Sequence, residues 1–437
     1  NRWCESVIRA AGYKGLTTEN CERQLNSAAA GWETLQVTDN HVYFSHPTNW
    51  FQVGSSVNQS SAIGQVAGYF RNLAGGRLAG RPQFVGEFNF CFWNPYQYEA
   101  GLVFNAYAAY QNFSSLAIHS HPVLNRGGDM QIQNFSSGSN PILRAAQFLS
   151  NMFFLRGDVT PSKKLVALTI PKEFLESDGN GMRAPSGEQT KLALMSGFAL
   201  AFPWAPTPEG ISAGRVPDLA ILPSGAADVE IHGWFTKVSE RTVGGNFSLD
   251  RTVREMKERG ILPKDNISVP SKGIFQSDTG ELTMRVREKL LKVVTPRTEA
   301  VAMLGGKSER LGAVSVLKNS TRGCLGVTSI DALPLPESRR MVIVYATEVV
   351  NSGMELGGGR ARLVKPGTGP ALLKTGEFAL SIRNRNRGTW KFYALSLAGE
   401  RKEALPVEER NGALFLSVDT AKLRSANTPF FELVLEH

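Results

Sequence analysis

The sequence predicts an α/β plus β protein: half of a (β/α)8 TIM barrel, a mixed connecting region and a β-sandwich. Three observations carry this reading. Apolar segments of strand length alternate with helical ones through the first third of the chain, as in a parallel sheet built from strand–helix units. Polar side chains collect where those strands end: Asp39, His41 and Tyr43 on the second, Glu87 and Asn89 on the third, His119 and His121 on the fourth. Barrel enzymes carry their chemistry on that face. Beyond residue 271, short apolar segments recur between Gly, Pro, Asn and Asp, the spacing of a β-sandwich.

The units follow in order. YKGLTT (13–18) reads as a strand and CERQLNSAAAG (21–31) as a helix. TLQVTDNHVYF (34–44) is the second strand, and SAIGQVAGYFRNLAGG (61–76) a helix with glycines past its end, as C-caps prefer. PQFVGE (82–87) is the third strand, stopping at Glu87. It is followed by the helix YEAGLVFNAYAAYQNF (98–113), with Leu102, Ala106, Ala109, Tyr110 and Phe113 on one face. SSLAIHS (114–120) is the fourth strand, and NPILRAAQFLSNMFFLRG (140–157) the fourth helix, with Pro141 in its first turn and Gly157 after its end. Four such units also suit half of a doubly wound sheet. The polar ring selects the barrel, and the absence of a Gly-rich turn after the first strand argues against a dinucleotide fold.

The beat stops after Gly157. KKLVALTIP (163–171) reads as a strand, QTKLALMSGFALAF (189–202) as a helix or buried strand, and SLDRTVREMKERG (248–260) as an amphipathic helix capped by Ser248. The expected domains are therefore 1–157, the half barrel; 158–270, a mixed α/β connection; and 271–437, the sandwich. Strand-length segments such as RRMVIVYATEVV, FALSIRN, TWKFYALS, ALFLSVD and FFELVLEH make up the last of these.

Composition narrows the function classes. With 42% hydrophobic and 20% charged residues among 437, the chain has the make-up of a folded, soluble protein. It holds no apolar run of membrane-spanning length. The net charge of +9 is spread along the chain, with only small clusters such as SIRNRNRG. A nucleic-acid footprint is normally concentrated on one element. The charge therefore reads as solubility or mild attraction to an anionic polymer. Of the four cysteines, Cys4, Cys21, Cys91 and Cys324, none form a CxxC pair, so a zinc knuckle is unsupported. Cys4 and Cys21 pair in an oxidising compartment or stay ordinary thiols; the second reading is preferred. NRWCESVIRAAGYKG opens without an initiator Met or a signal-peptide pattern, and is expected to begin inside a helix of a longer or processed chain.

DNHVYFSHP, followed by RPQFVGEFNFCFWNPYQYEAGLVFNAYAAYQNFSSLAIHSH, resembles the retaining glycoside hydrolases of clan A. The likeness is greater to large bacterial cellulase-like or β-galactosidase-like proteins, in which a barrel precedes a C-terminal β-sandwich. FLRGDV, SDTGEL, TPRTEAV, VTSIDALPLPESRRM and NSGME are similar to that group's tail. The resemblance implies that the four units are barrel strands five to eight. It implies that Glu87 is the nucleophile at the end of strand seven, and that the His-x-Tyr of His41 and Tyr43 on strand six orients it. The acid/base of that clan, a glutamate after an asparagine on strand four, would lie before Asn1. Where many members place a tryptophan on strand eight, this chain has His119. The implied enzyme is a secreted or periplasmic retaining β-glycosidase acting on a polysaccharide or oligosaccharide, with no cofactor, no metal, no nucleic-acid partner and no membrane partner. The alternative is a non-catalytic carbohydrate-binding or scaffold protein.

The chemistry explains why these residue types matter. A retaining glycosidase needs two carboxyl groups about 5–5.5 Å apart. The attacking one must stay ionised, which requires donors beside it; Tyr43 and His41 are of the right type. Each residue also has a plainer reading: Glu87 in a structural ion pair, His41 and Tyr43 as satisfied core groups. Glu19, in TTEN, is a poor candidate for the acid because its Glu–Asn order is reversed. The H-x-H spacing of His119 and His121, with His46, offers a metal site and a metal-dependent hydrolase as one reading; hydrogen-bonded histidines are the preferred one, since no Cys or carboxylate motif completes the set. Trp50, Trp93, Tyr96 and Tyr98 are candidate sugar platforms, with Asp39, Asn89, Asn94 and His119 as further contacts to substrate. Glu99 and Asn94 are expected to fix the loop and the helix start.

Overall fold

The computed structural model describes the chain except residues 1, 19–23, 122–129, 178, 209–210, 212–213, 225–228, 232–239, 243–246, 426 and 437. Helices α1 (Arg2–Ala10) and α2 (Leu25–Thr34) come first. Leu25, Ala28, Ala29 and Trp32 of α2 are buried, a spacing that places them on one helical face. The first sheet is parallel, in the order β1 (Thr38–Phe44), β3 (Gln83–Phe90), β4 (Ser115–Ile118). A short strand β2 (Thr48–Phe51) and helix α3 (Gly68–Ala74) connect β1 to β3. A 3-10 turn at Gln97–Glu99, a π-helical stretch at Gly101–Ala106 and α4 (Tyr107–Tyr110) lead to β4. Helix α5 (Pro141–Ser150) follows, continued by a π-helical turn at Asn151–Leu155. Asn140 starts α5 by accepting from the Ile142 and Leu143 N–H groups, two of the donors a helix N-terminus leaves free.

The half barrel expected from the sequence is not what forms. Residues 13–18 make no strand, so the sheet has three strands rather than four, and it stays open. Strands form at β1, β3 and β4, but the helix expected over 61–76 shortens to α3, and that over 98–113 is a 3-10 turn, a π-helical stretch and the short α4. The chain is also strand-dominated in its C-terminal half, where a large antiparallel sheet replaces any continuation of parallel barrel strands.

A second parallel sheet occupies the middle of the chain, in the order β6 (Gly197–Ala201), β5 (Leu165–Thr169), β7 (Leu219–Ile221). QTKLALMSGFALAF thus divides: a 3-10 turn at Gln189–Leu194, then strand. Helix α6 (Lys172–Glu176) lies between β5 and β6, and β8 (Val229–Ile231) pairs antiparallel with β9 (Glu240–Thr242). This sheet is stitched to the end of α3 by a parallel bridge from Leu78 to Leu200. Helix α7 (Leu249–Glu258) begins at Ser248, whose side chain accepts from the Arg251 N–H.

The nine-stranded antiparallel sheet begins with β10 (Ile274–Gln276), β11 (Leu282–Arg285), β12 (Leu290–Val294) and β13 (Thr298–Met303). It continues through β16 (Gly323–Ser329), β17 (Arg340–Ala346), β27 (Phe430–Glu436), β23 (Thr389–Leu395) and β24 (Arg401–Leu405). A five-stranded sheet faces it, in the order β14 (Glu309–Arg310), β15 (Val314–Asn319), β22 (Glu377–Arg383), β26 (Ala413–Asp419), β25 (Val407–Arg410). The central strands of the large sheet are buried on both faces. Side chains alternate along a strand, so Val301, Met303, Leu325, Val327 and Ile343 join the core between the two sheets, while Ala300, Ala302, Cys324 and Val344 join the core of the α/β layer. Small residues on the second face let α5 approach closely: a Cβ at Gly326 would lie 3.0 Å from Leu149 Cδ2.

Between β17 and β22 the chain leaves the sandwich. Residues 349–373 form an arm of two antiparallel pairs, β18 (Val349–Ser352) with β21 (Thr368–Leu373) and β19 (Glu355–Gly357) with β20 (Arg362–Lys365). The arm crosses to the loop after β1. Gly54 donates its N–H to Leu363 O at 2.8 Å, Leu363 N–H returns a bond to Ser55 O at 2.8 Å, and Val57 N–H donates to Ala361 O at 3.0 Å.

Candidate functional site

Alternation along β1 decides what faces where. Thr38, Asn40, Val42 and Phe44 are buried, and Asp39, His41 and Tyr43 are half-buried on the opposite face. The pairing of β1 with β3 slips between Asp39–Phe84 and His41–Glu87, so β3 carries one extra residue there. Bulges of this kind re-aim side chains next to active sites. Here the bulge turns Glu87 towards His41 and Tyr43. Glu87 is consequently inside β3, which runs on to Phe90, and not at its end as the sequence suggested.

Glycine as the extra residue leaves the Asp39 and His41 side chains where they are. A Cβ at Gly86 would lie 2.5 Å from His41 Nε2 and 2.7 Å from Asp39 Oδ2. The bare backbone allows Asp39 Oδ1 to accept the Gly86 N–H at 2.7 Å. A glycine within a strand is the one mark of this bulge that the sequence carries.

Glu87 is the centre of the group. The Tyr43 hydroxyl donates to its Oε2. His41 Nδ1 lies 3.7 Å and His119 Nδ1 3.6 Å from the same oxygen, and the other His41 nitrogen lies 3.6 Å from Asp39 Oδ2. The Glu87 side chain is 40% exposed, so the carboxylate is open to a ligand. Burial, followed by the hydrogen bond and negative charge of Glu87, raises the Tyr43 hydroxyl above its ordinary value. Tyr43 therefore stays a phenol, able to donate, across the neutral range.

An aromatic rim surrounds this carboxylate. Phe135 packs on Tyr43 at 5.0 Å and on His119 at 5.5 Å between ring centroids. His46 meets Tyr43, Phe135 and Trp50 edge-on at 5.5, 5.9 and 5.6 Å. Trp50 is 57% exposed and holds a backbone φ of +44°, a region that non-glycine residues rarely occupy. Asn89 stands behind the rim, its amide donating to the carbonyls of His119 at 2.6 Å and Phe135 at 3.2 Å.

Asp39, His41, Tyr43, Trp50, Glu87, Asn89 and His119 are thus brought together. Trp93, Asn94 and Tyr98 are not. Trp93 is 1% exposed, packs on Phe51 and Phe92, and donates to Ala361 O at 3.3 Å. Asn94 holds the carbonyls of Asn58 and Ser60 at 2.6 and 3.0 Å. Tyr98 is 1% exposed, and burial raises its hydroxyl well above the usual value. Tyr96 receives a hydrogen bond from Lys289 Nζ at 2.8 Å and lies beneath Arg322, so it joins the α/β layer to the large sheet. These aromatics cap a core, the commoner role of rings in loops. Glu99 is fully buried, accepting from Ser61 Oγ at 2.7 Å and from the Ile63 N–H at 3.0 Å. Phe135 is the rim residue the sequence reading missed; in QNFSSGSN nothing distinguishes it from any loop phenylalanine.

Compared with protein-family models and with curated proteins, the chain matches none. Among the described residues, no three His, Cys, Asp or Glu side chains come together as metal ligands, and His121 contributes a carbonyl that accepts from Ser136 Oγ at 2.9 Å. No helix among them is long and apolar enough to cross a membrane. Cys4 is an exposed free thiol, while burial pushes the Cys91 and Cys324 thiols up to about 12. Glu19 and Cys21 lie outside the described residues.

Proposed function

We propose that the Glu87 group is a carbohydrate site and that Glu87 is the nucleophile of a retaining β-glycosidase. The observation that carries this reading is the hydroxyl of Tyr43 on the Glu87 carboxylate, with two imidazole nitrogens within 4 Å of the same oxygen. Donors arranged around one half-exposed carboxylate fix its direction of attack. An exposed tryptophan and a rim of further rings beside it suit the apolar face of a sugar.

In this reading Glu87 attacks the anomeric carbon as the glycosidic C–O bond breaks and the leaving oxygen takes a proton from a general acid; water, giving its proton back to that group, then cleaves the glycosyl ester and restores the Glu87 carboxylate. Tyr43 and His41 hold the carboxylate, and Asp39 holds His41. Asp39 is not suited to protonate the leaving oxygen. One of its oxygens accepts the Gly86 N–H, and the other faces Nε2 of His41, whose Nδ1 faces Glu87. The acid/base is therefore left unassigned. An enzyme acting on such polymers is expected outside the cytoplasm.

The experiment is covalent trapping. The protein, in its full natural length, is incubated with activated 2-deoxy-2-fluoro β-glycosides and digested. An adduct on the peptide carrying Glu87, lost in Glu87→Gln, is the expected result. Glycan binding with no adduct and no turnover would instead favour the non-catalytic binding protein.

A further inference from the structure

We propose that the arm of residues 349–373 is a working part of the Glu87 site, and that Asn351 is the positioning residue through which it holds the aromatic rim. This rests on the carbohydrate reading and adds to it the element that governs the site's shape. Phe135 and Trp50 both lie in connections outside the three-stranded parallel sheet. Connections are placed by whatever packs on them. For both of these connections, part of what packs on them is the arm.

The first grip is Asn351. Its Nδ2 donates to Ile132 O and its Oδ1 accepts the Ile132 N–H, each at 2.9 Å. The side chain thus pairs with the backbone of residue 132 as a neighbouring strand would. The same Nδ2 donates to Pro366 O at 3.0 Å, which ties the contact to the returning strand of the arm. Asn351 and Ile132 are both buried, and Gln131 adds a bond from its Nε2 to Gly367 O at 2.6 Å. Three residues beyond Ile132 stands Phe135, packed on Tyr43 and His119. The second grip is the exchange between β20 and residues 54–57, four residues beyond Trp50. The arm therefore holds the two edges of the rim: Asn351 fixes the backbone at Ile132, and three residues along the same segment Phe135 packs on Tyr43, which donates to Glu87.

Truncating Asn351 leaves the buried N–H and C=O of Ile132 without that partner, a situation that favours local opening over global loss of fold. The effect should appear in how well a sugar is held and not in the intrinsic step at Glu87.

The test uses the full chain and Asn351→Leu, which keeps the volume and removes all three bonds, beside Asn351→Asp, which keeps the acceptor for the Ile132 N–H. Amide exchange over residues 130–136 and the kinetics on 4-nitrophenyl β-glucoside and β-galactoside are measured. In Asn351→Leu, exchange over 130–136 should quicken about tenfold and KM should rise about tenfold, with kcat within about threefold. In Asn351→Asp the KM defect should shrink at acidic pH, where a protonated carboxyl again donates to a carbonyl, and the Leu variant should show no such recovery. A folded Asn351→Leu protein with unchanged exchange over 130–136, or with unchanged KM, overturns the proposal. A wild-type protein that leaves carbohydrate untouched overturns the reading of the site instead. The exchange rates then decide alone whether the arm positions the rim.

Discussion

Tyr43 and Glu87 meet across β1 and β3, one bulge beyond regular register, with the phenolic hydroxyl donating to the carboxylate. The ring itself is held independently, by Phe135 on one side and by His119 and His46 at its edges. Tyr43→Phe therefore removes a donor without removing the packing. A hydrogen bond to a charged group contributes about 1.5–3 kcal/mol, which corresponds to a loss of roughly 10- to 100-fold in turnover. The Glu87 side chain is 40% exposed and regains water in place of the hydroxyl, so thermal melting should shift by no more than a few degrees. Steady-state kinetics beside a melting curve check both halves, and full activity in the variant would remove Tyr43 from the mechanism.

Gly86→Ala tests the bulge. The added methyl would meet the His41 ring and the Asp39 carboxylate at 2.5–2.7 Å and no backbone atom within that range. The strain is relieved by moving those two side chains, so activity suffers more than stability. The expected result is a loss of turnover of at least about tenfold with a stability change within about 1 kcal/mol. Unfolding of the variant before any kinetic defect would show that the bulge serves the sheet and not the site.

The sequence made this site legible to the extent that alternation could. Asp39, His41 and Tyr43 at every second position, and Glu87 with Asn89, declare two strand faces, and both faces exist. Pairing was not legible: the bulge that brings Glu87 to Tyr43 is a relation between strands, and a single segment does not encode it. For the same reason strand–helix units with polar residues at one face suggested a barrel where an open three-stranded sheet stands. Aromatic content misled in the loop after β3, because Trp93 and Tyr98 satisfy a core that is assembled partly from the distant large sheet. Phe135 enters the site from one connection, and Asn351, on β18, pairs with the backbone of Ile132 from far along the chain, which no local pattern announces.

Trp50 presents an exposed ring on a left-handed backbone. Among the described residues its ring contacts are edge-on, with His46 and Phe135, so Trp50→Ala should leave stability within about 0.5 kcal/mol. If the ring stacks on a sugar, the same change should weaken oligosaccharide binding by about 1–1.5 kcal/mol, up to roughly tenfold in Kd. Calorimetric titration with an oligosaccharide that the wild type binds measures it. Equal affinity in the two proteins would take Trp50 out of the site.

Glu99 gives the fold a pH dependence of definite sign. Burial pushes its carboxyl from the ordinary 4.5 up to about 7, against the opposing hydrogen bonds from the Ile63 N–H and Ser61. The unfolded chain releases this proton near 4.5, while the native protein keeps it until about 7. Within that window the native state binds more protons, so stability falls as pH rises. The contribution is complete below about 4.5 and is lost by the time pH passes about 7. Its size is on the order of 3 kcal/mol at the shift given. Glu99→Gln has no proton to lose, so the difference in unfolding free energy between wild type and variant should slope downward from pH 4.5 to 7 and then level off. Because Glu99 anchors residues 61–63, at the far end of the loop that carries His46 and Trp50, exchange in that loop should quicken over the same range in the wild type alone. Denaturant melts at pH 5, 6 and 7 measure the slope, and parallel profiles for the two proteins would show that Glu99 is ionised in the native state throughout.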